Sequence, residues 1–189
     1  MRNIIVSEFI TLDGIMEDPG GSEKTSFGGW AFQFERGPEG DKFKLDGVMA
    51  SDTLLLRRIT YEGFAEAWPS QTGECADKMN GMAKIVVSTT LRKPKWNNSQ
   101  LIRGDVVGEL SKLKAIPGGD ILVAGSGQLV NTLMKYDLID EYRLMVYPVI
   151  LGGGKRLFND GTDRRSLILV EAKPVGAGVL ILIYHPERM

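Results

Sequence analysis

Between residues 52 and 136 the chain alternates short apolar runs with segments of helical length, and this alternation limits the fold more than any other feature of the sequence. Residues 52–56, 84–89 and 120–124 read as buried strands, with 101–102 as a shorter one. Residues 60–68, 105–116 and 128–136 read as helices. In the second helix Val106, Leu110, Leu113 and Ile116 recur at three- and four-residue spacing behind Asp105, a natural N-cap. In the third, Leu129, Val130, Leu133 and Met134 share one face. Strands that alternate with helices in this way form a largely parallel sheet covered on both faces.

The two ends of the chain differ from the middle. Residues 3–12 form a β-branched and aromatic run, broken only by Glu8, that ends at the turn Asp13-Gly14; they read as a central first strand. Residues 15–37 lack periodicity but carry Phe27, Trp30, Phe32 and Phe34, as a binding loop or lid would. A helix is expected at 39–50. After residue 140 the character changes to long strands at 141–151, 167–175 and 179–184, the last two joined across Gly176-Ala177-Gly178 as an antiparallel hairpin. The expected architecture is one α/β domain over 1–189, mostly parallel with helices on both faces and an antiparallel C-terminal hairpin.

Composition excludes several classes of function. Lys plus Arg (23) nearly balance Asp plus Glu (24), so no basic field is present to draw nucleic acid or anionic lipid. Cys75 and His185 are the only residues of their types, too few for a disulfide framework or a typical zinc site. The longest apolar stretch, 179–184, is far short of the roughly 20 residues that span a bilayer. No signal-peptide core follows Met1, and a cytoplasmic setting without metal, membrane or nucleic-acid partners is the expectation.

Three expected strand ends carry groups suited to a phosphorylated ligand. Gly125-Ser126-Gly127 joins a buried strand to a helix, where free amides and the positive helix end face outward. Glycine at such turns also occurs for steric reasons alone, so the triplet does not by itself specify a phosphate site. Arg57, Arg58 and Thr60 follow the second strand, and Ser88, Thr89, Thr90 and Arg92 the third. Open α/β sheets bind ligands at the carboxyl ends of their strands. Taken singly, each residue also fits a solvated loop or cap; together they favour a dinucleotide.

Four runs in order carry a family resemblance: Asp52-Thr-Leu-Leu-Leu-Arg-Arg-Ile-Thr-Tyr-Glu-Gly-Phe64, Lys84-Ile-Val-Val-Ser-Thr-Thr90, Asp120-Ile-Leu-Val-Ala-Gly-Ser-Gly127, and Asp140-Glu-Tyr-Arg-Leu-Met-Val-Tyr-Pro-Val-Ile-Leu-Gly-Gly-Gly154 with Arg156-Leu157-Phe158. They resemble the reductase domain of the bifunctional riboflavin-biosynthesis deaminase-reductase and its stand-alone bacterial relatives, which have the dihydrofolate reductase fold. The resemblance implies NADPH held by Arg57, Arg58 and Thr60 near the phosphates, by Ser88, Thr89 and Thr90 near the adenosine, and by Gly125, Ser126, Gly127, Gln128 and Leu129 along the pyrophosphate. Val6, Ser7, Ile15 and Met16 would flank the nicotinamide. Arg57 stands where the family commonly has glycine, and the Gly125–Ser126 bond is expected to be cis, as a Gly-Gly bond there often is in this fold.

The implied activity is hydride transfer to a small pyrimidine-, pteridine- or flavin-related ring, most directly reduction of the ribosylamino-pyrimidine phosphate of riboflavin synthesis. Dihydrofolate or another pterin is a second candidate substrate, and a noncatalytic dinucleotide-binding module a third reading. Asp13 and Asp41 are candidate proton donors, with Asp46 nearby on the same expected helix. A backbone-bonded turn residue and a solvated helix face are the alternative roles for these acids. Trp30 is a candidate ring-stacking residue, with core packing as its alternative. Gly153 and Gly154 are candidates to approach the substrate or a phosphate, or form only a flexible turn. A homodimer along the antiparallel edge is expected.

Overall fold

The computed structural model describes residues 1–188. Its centre is an eight-stranded sheet built from β1 (Ile4–Thr11), β2 (Ser51–Arg57), β3 (Ala83–Val87), β4 (Ser99–Ile102), β5 (Asp120–Val123), β6 (Glu141–Tyr147), β7 (Leu167–Val175) and β8 (Val179–Pro186), in the order β4-β3-β2-β5-β1-β6-β8-β7. The six strands from β4 to β6 are mutually parallel. β8 runs antiparallel to β6 and to β7, closing the sheet with the expected hairpin.

Side-chain alternation along the strands feeds two apolar layers. Leu55, Ile85, Ile121 and Val123 pack with Leu110 of α4 (Val106–Ala115) and with Leu129, Val130 and Leu133 of α5 (Gly127–Lys135). Leu54, Leu56, Val86 and Leu122 face the other way, toward Tyr61 of α2 (Arg58–Ala67), Met79 of α3 (Glu74–Gly81) and Val48 of α1 (Gly37–Ala50). A third cluster joins Trp30, Ala31, Met145, Tyr147, Val175, Val179 and Ile181 under the long first loop. Among the described residues no helix is long and apolar enough to cross a membrane.

Two sequence expectations need correction. α3 was not expected; its sequence, ECADKMNG, buries only Ala76 and Met79, so it lacks the apolar stripe that identifies a helix. β6 stops at Tyr147 rather than continuing to residue 151, because Pro148 has no N–H to give the ladder.

The connections place the site. α1, α2 and α3 link β1 to β2 and β2 to β3 on one face, whereas α4 and α5 lead into β5 and out to β6 on the other. Crossovers therefore leave β1 and β5 in opposite directions, and that is where open α/β sheets form a ligand crevice. The pairing confirms a fork: β1 and β5 share only the rungs Ile4↔Ile121, Ile5↔Leu122 and Val6↔Val123. On its other side β1 stays paired with β6 as far as Thr11↔Tyr147.

Candidate active site at the fork between β1 and β5

The turns after β2 and β5 meet beside this fork. A Cβ built on Gly125 would stand 2.8 Å from Thr60 Oγ1, and Gly125 has φ of +71°, so only glycine fits without strain. The Gly125–Ser126 peptide is cis, as expected. Arg57 donates to Gln128 Oε1, bridging the two turns. Gly127 also abuts Met16: a Cβ there would lie 3.0 Å from Met16 Sδ and 2.9 Å from the Arg156 carbonyl. Residues expected near one cofactor from three separate segments thus share one rim.

The helices starting on this rim are left open. Neither Arg57 before α2 nor Ser126 before α5 caps its helix with a side chain. α1 and α3 likewise lack a side-chain cap, and α4 alone of α1 to α5 has one, Asp105, whose carboxylate accepts from Gly108 N at 2.9 Å. First-turn amides without a side-chain acceptor suit an anion. One strand further along, Ser88 Oγ accepts from Thr90 N (3.2 Å) and Leu91 N (2.9 Å), holding the β3 turn. Arg103 ties that turn to β4 by donating to the carbonyls of Thr89, Leu91 and Arg92. Arg58 lies outward, paired with Glu62 at 3.0 Å.

Other expected residues sit deeper or away from the fork. Val6 is fully buried on the last β1–β5 rung, and Ile15 is buried beneath Gly154. Trp30 is 1 % exposed, donates from Nε1 to the Glu17 carbonyl at 2.9 Å, and meets Tyr147 edge-on. Its ring is packed into the core of the loop. Gly153 and Gly154 do not line an open face: a Cβ on the first would lie 3.0 Å from Phe27 Cζ, and on the second 2.9 Å from Ile15 Cγ2. Their glycines let the 152–157 segment close against the first loop, where Ile15 bridges Arg156.

The candidate acids are also engaged. The Asp13 carboxylate takes hydrogen bonds from Thr11 Oγ1 (2.5 Å), Gly152 N (2.9 Å) and Leu151 N (3.3 Å). The Thr11 bond and those amides hold its carboxyl below the usual range, so it stays ionised and pins two loops together. Asp41 is 65 % exposed and paired with Arg36 at 2.6 Å, and Asp46 pairs with Lys42 at the same distance.

Two charged residues not singled out by the sequence occupy the fork. Glu8 lies in β1 and is buried, its carboxyl accepting from Gly125 N. Burial pushes that carboxyl up, against the Gly125 bond and the Lys44 charge, which pull it down. Lys44, partly buried on α1, donates to Ser7 Oγ at 2.8 Å and stands 4.7 Å from the centroid of the Phe9 ring. Burial pushes its ammonium down, opposed by Glu8 and reinforced by Arg36. Glu8 had a signal, as the one charge inside an apolar run expected to be central; Lys44 had none among the many charges of α1.

The fork and its rim belong to an α/β protein whose β2 and β5 turns meet at the carboxyl ends of the parallel strands. The family assignment agrees: residues 2–181 match the RibD C-terminal domain, and the chain belongs to that family. It is 30 % identical over 189 residues to the uncharacterized protein YyaP of Bacillus subtilis, covering 97 % of this chain and 95 % of that one. A second B. subtilis protein, YwjB, also uncharacterized, is 30 % identical over 181 residues, covering 94 % and 95 % of the two chains. Among solved structures, a candidate riboflavin biosynthesis protein from Shewanella sp. PV-4 superposes with a TM-score of 0.78 at 23 % identity, covering both chains fully. A pyrimidine reductase-like protein from Corynebacterium diphtheriae gives 0.69 at 10 % identity, over all of this chain and 93 % of that one. These two likenesses establish the fold.

Proposed function

We propose that the protein is an NADPH-dependent reductase that transfers a hydride to a small heterocyclic ring, in the manner of the pyrimidine reductases of riboflavin synthesis. The observation that carries this reading is the meeting of Arg57, Thr60, Gly125 and Gln128 at one rim, between the uncapped starts of α2 and α5. The donor set fits a pyrophosphate: first-turn amides, a guanidinium, and a glycine that lets an anion approach the backbone. Bound NADPH would supply the hydride. The chain's own part is to hold and orient the cofactor along this rim, to place the ring beside Ser7 and Met16, and to keep bulk water out with the loop that Asp13 pins.

We assign the proton side of the reaction to Ser7, Glu8 and Lys44, since Ser7 and Glu8 follow the last β1–β5 rung whereas Asp13 and Asp41 are committed elsewhere. Ile168, Leu169 and Val170, each more than half exposed on the edge strand β7, support pairing of two copies along that edge. With no membrane-crossing helix among the described residues, cytoplasmic work is the natural setting.

Titration with NADPH tests the cofactor claim. Binding at micromolar strength, about −8 kcal/mol, is expected. In Gly125→Ala the dissociation constant should rise about tenfold, about 1.4 kcal/mol, since a Cβ there would displace Thr60 and stand between an anion and the backbone. An unchanged constant in that variant would place the cofactor elsewhere. NADPH oxidation with the ribosylamino-pyrimidine phosphate but not with dihydrofolate would separate the two candidate substrates.

A further inference from the structure

Lys44 differs from its charged neighbours in having no ionic partner. Arg36 pairs with Asp41, Lys42 with Asp46, and Arg143 with Glu141, whereas no ion pair among the described residues includes Lys44. An ammonium has three donors and no acceptor. One donor goes to Ser7 Oγ at 2.8 Å. Burial favours the neutral form of Glu8, the acid nearest in sequence to Ser7, and its Oε1 already accepts from Gly125 N. Lys44 therefore holds donor capacity that the protein itself does not use.

Its position gives that capacity a direction. Ser7 is the first residue of β1 beyond the last rung with β5, so the ammonium stands at the opening of the fork, on the side covered by α1. Beneath it lies the Phe9 ring, which Arg36 also approaches at 5.5 Å and Tyr147 meets edge-on. Arg36 and Tyr147, which touch the same ring, also line a cavity of about 390 Å³ with Phe34, Glu35 and Asp41, to which Lys44 itself does not contribute. Two cations over one ring, with one of them unpaired, suit a flat ligand rich in acceptor oxygens.

We infer that Lys44 is the specificity-determining residue on the substrate side of the fork, taking a carbonyl or carboxylate oxygen of a planar ring and rejecting rings whose facing edge bears only amino groups. This assignment rests on the reading of the fork as the cofactor and substrate site. An amino edge set against Lys44 would oppose donor to donor and leave a partly desolvated charge without a partner, the kind of mismatch by which binding sites discriminate most strongly.

The test compares two probes by calorimetric titration of the full chain: orotate, which offers ring carbonyls and a carboxylate, and 2,4-diaminopyrimidine, which offers amino donors. The wild-type protein should bind orotate at least about tenfold more tightly, the scale of one hydrogen bond to a charged group. Lys44→Met should abolish that preference, Lys44→Arg should keep most of it, and Lys44→Glu should reverse it, with circular dichroism checking that each variant folds. Equal affinity for the two probes in the wild type, or a preference that survives in a folded Lys44→Met, would overturn the assignment. If NADPH does not bind, yet orotate is preferred and the preference disappears with Lys44, the reductase reading fails and the Lys44 assignment stands.

Discussion

The two ends of the parallel strands treat their polar groups in opposite ways. At the amino ends they answer one another. Arg2, 5 % exposed, donates to the Gly119 carbonyl and to Thr53 Oγ1, both at 2.8 Å, and pairs with Asp52, which in turn accepts from Gly119 N at 2.7 Å. Asp140 accepts from Ile4 N at 2.8 Å and from Lys114. Lys84, fully buried, donates to the Asn80 carbonyl and lies 4.2 Å from the Trp96 ring centroid. At the carboxyl ends, by contrast, two helices start uncapped, Arg57 reaches across a turn, and Lys44 donates to the neutral Ser7 hydroxyl. One end is stitched closed by paired polar groups; at the other, α2 and α5 start without a side-chain cap.

Three experiments bear on this contrast, in decreasing order of effect. Arg2→Met should cost about 2–3 kcal/mol of stability, read by urea unfolding, because it strands buried acceptors. NADPH affinity should stay within about twofold, about 0.4 kcal/mol. A variant of normal stability that had lost affinity would erase the division of labour between the two ends.

The second is a pH profile. The Glu8 carboxyl titrates in the fold at about 7, against an ordinary value of 4.5. Between those values the unfolded chain has released a proton that the native protein retains. Stability from this group is thus complete below about 4.5 and declines as pH rises through about 7, at no more than about 1.4 kcal/mol per pH unit. Glu8→Gln should remove this descending component from thermal unfolding measured across that window. An identical slope in the variant would mean that the carboxyl is ionised in the native fork.

The smallest effect sharpens the comparison of helix starts. Asp105→Ala should destabilise the protein by about 1 kcal/mol through loss of the α4 cap, and Ser126→Ala by no more than a few tenths. A cost at Ser126 equal to that at Asp105 would show that α5 is capped by its own residues and not kept open.

What the sequence revealed, and what it hid, follows from how each feature is encoded. β2, β3 and β5 are short apolar runs between helical segments, and the Asp105 cap and the Gly176-Ala177-Gly178 hairpin follow from local chemistry, so all were readable. The glycine turn after β5 was readable because its geometry is local too. α3 was not, since only two of its side chains enter the core. Trp30 and Lys44 were illegible for another reason: a buried aromatic and a lid aromatic have the same one-dimensional signature, as do a solvated lysine and one reaching Ser7. Only tertiary packing distinguishes them.

The shortness of the β1–β5 ladder has a mechanical corollary. That ladder has three rungs, against seven in the β1–β6 ladder on the other side of β1. Amide exchange along it should be quicker than in that longer ladder. A molecule held at the fork should register as slowed exchange at Ile121 and Leu122, well behind the point of contact.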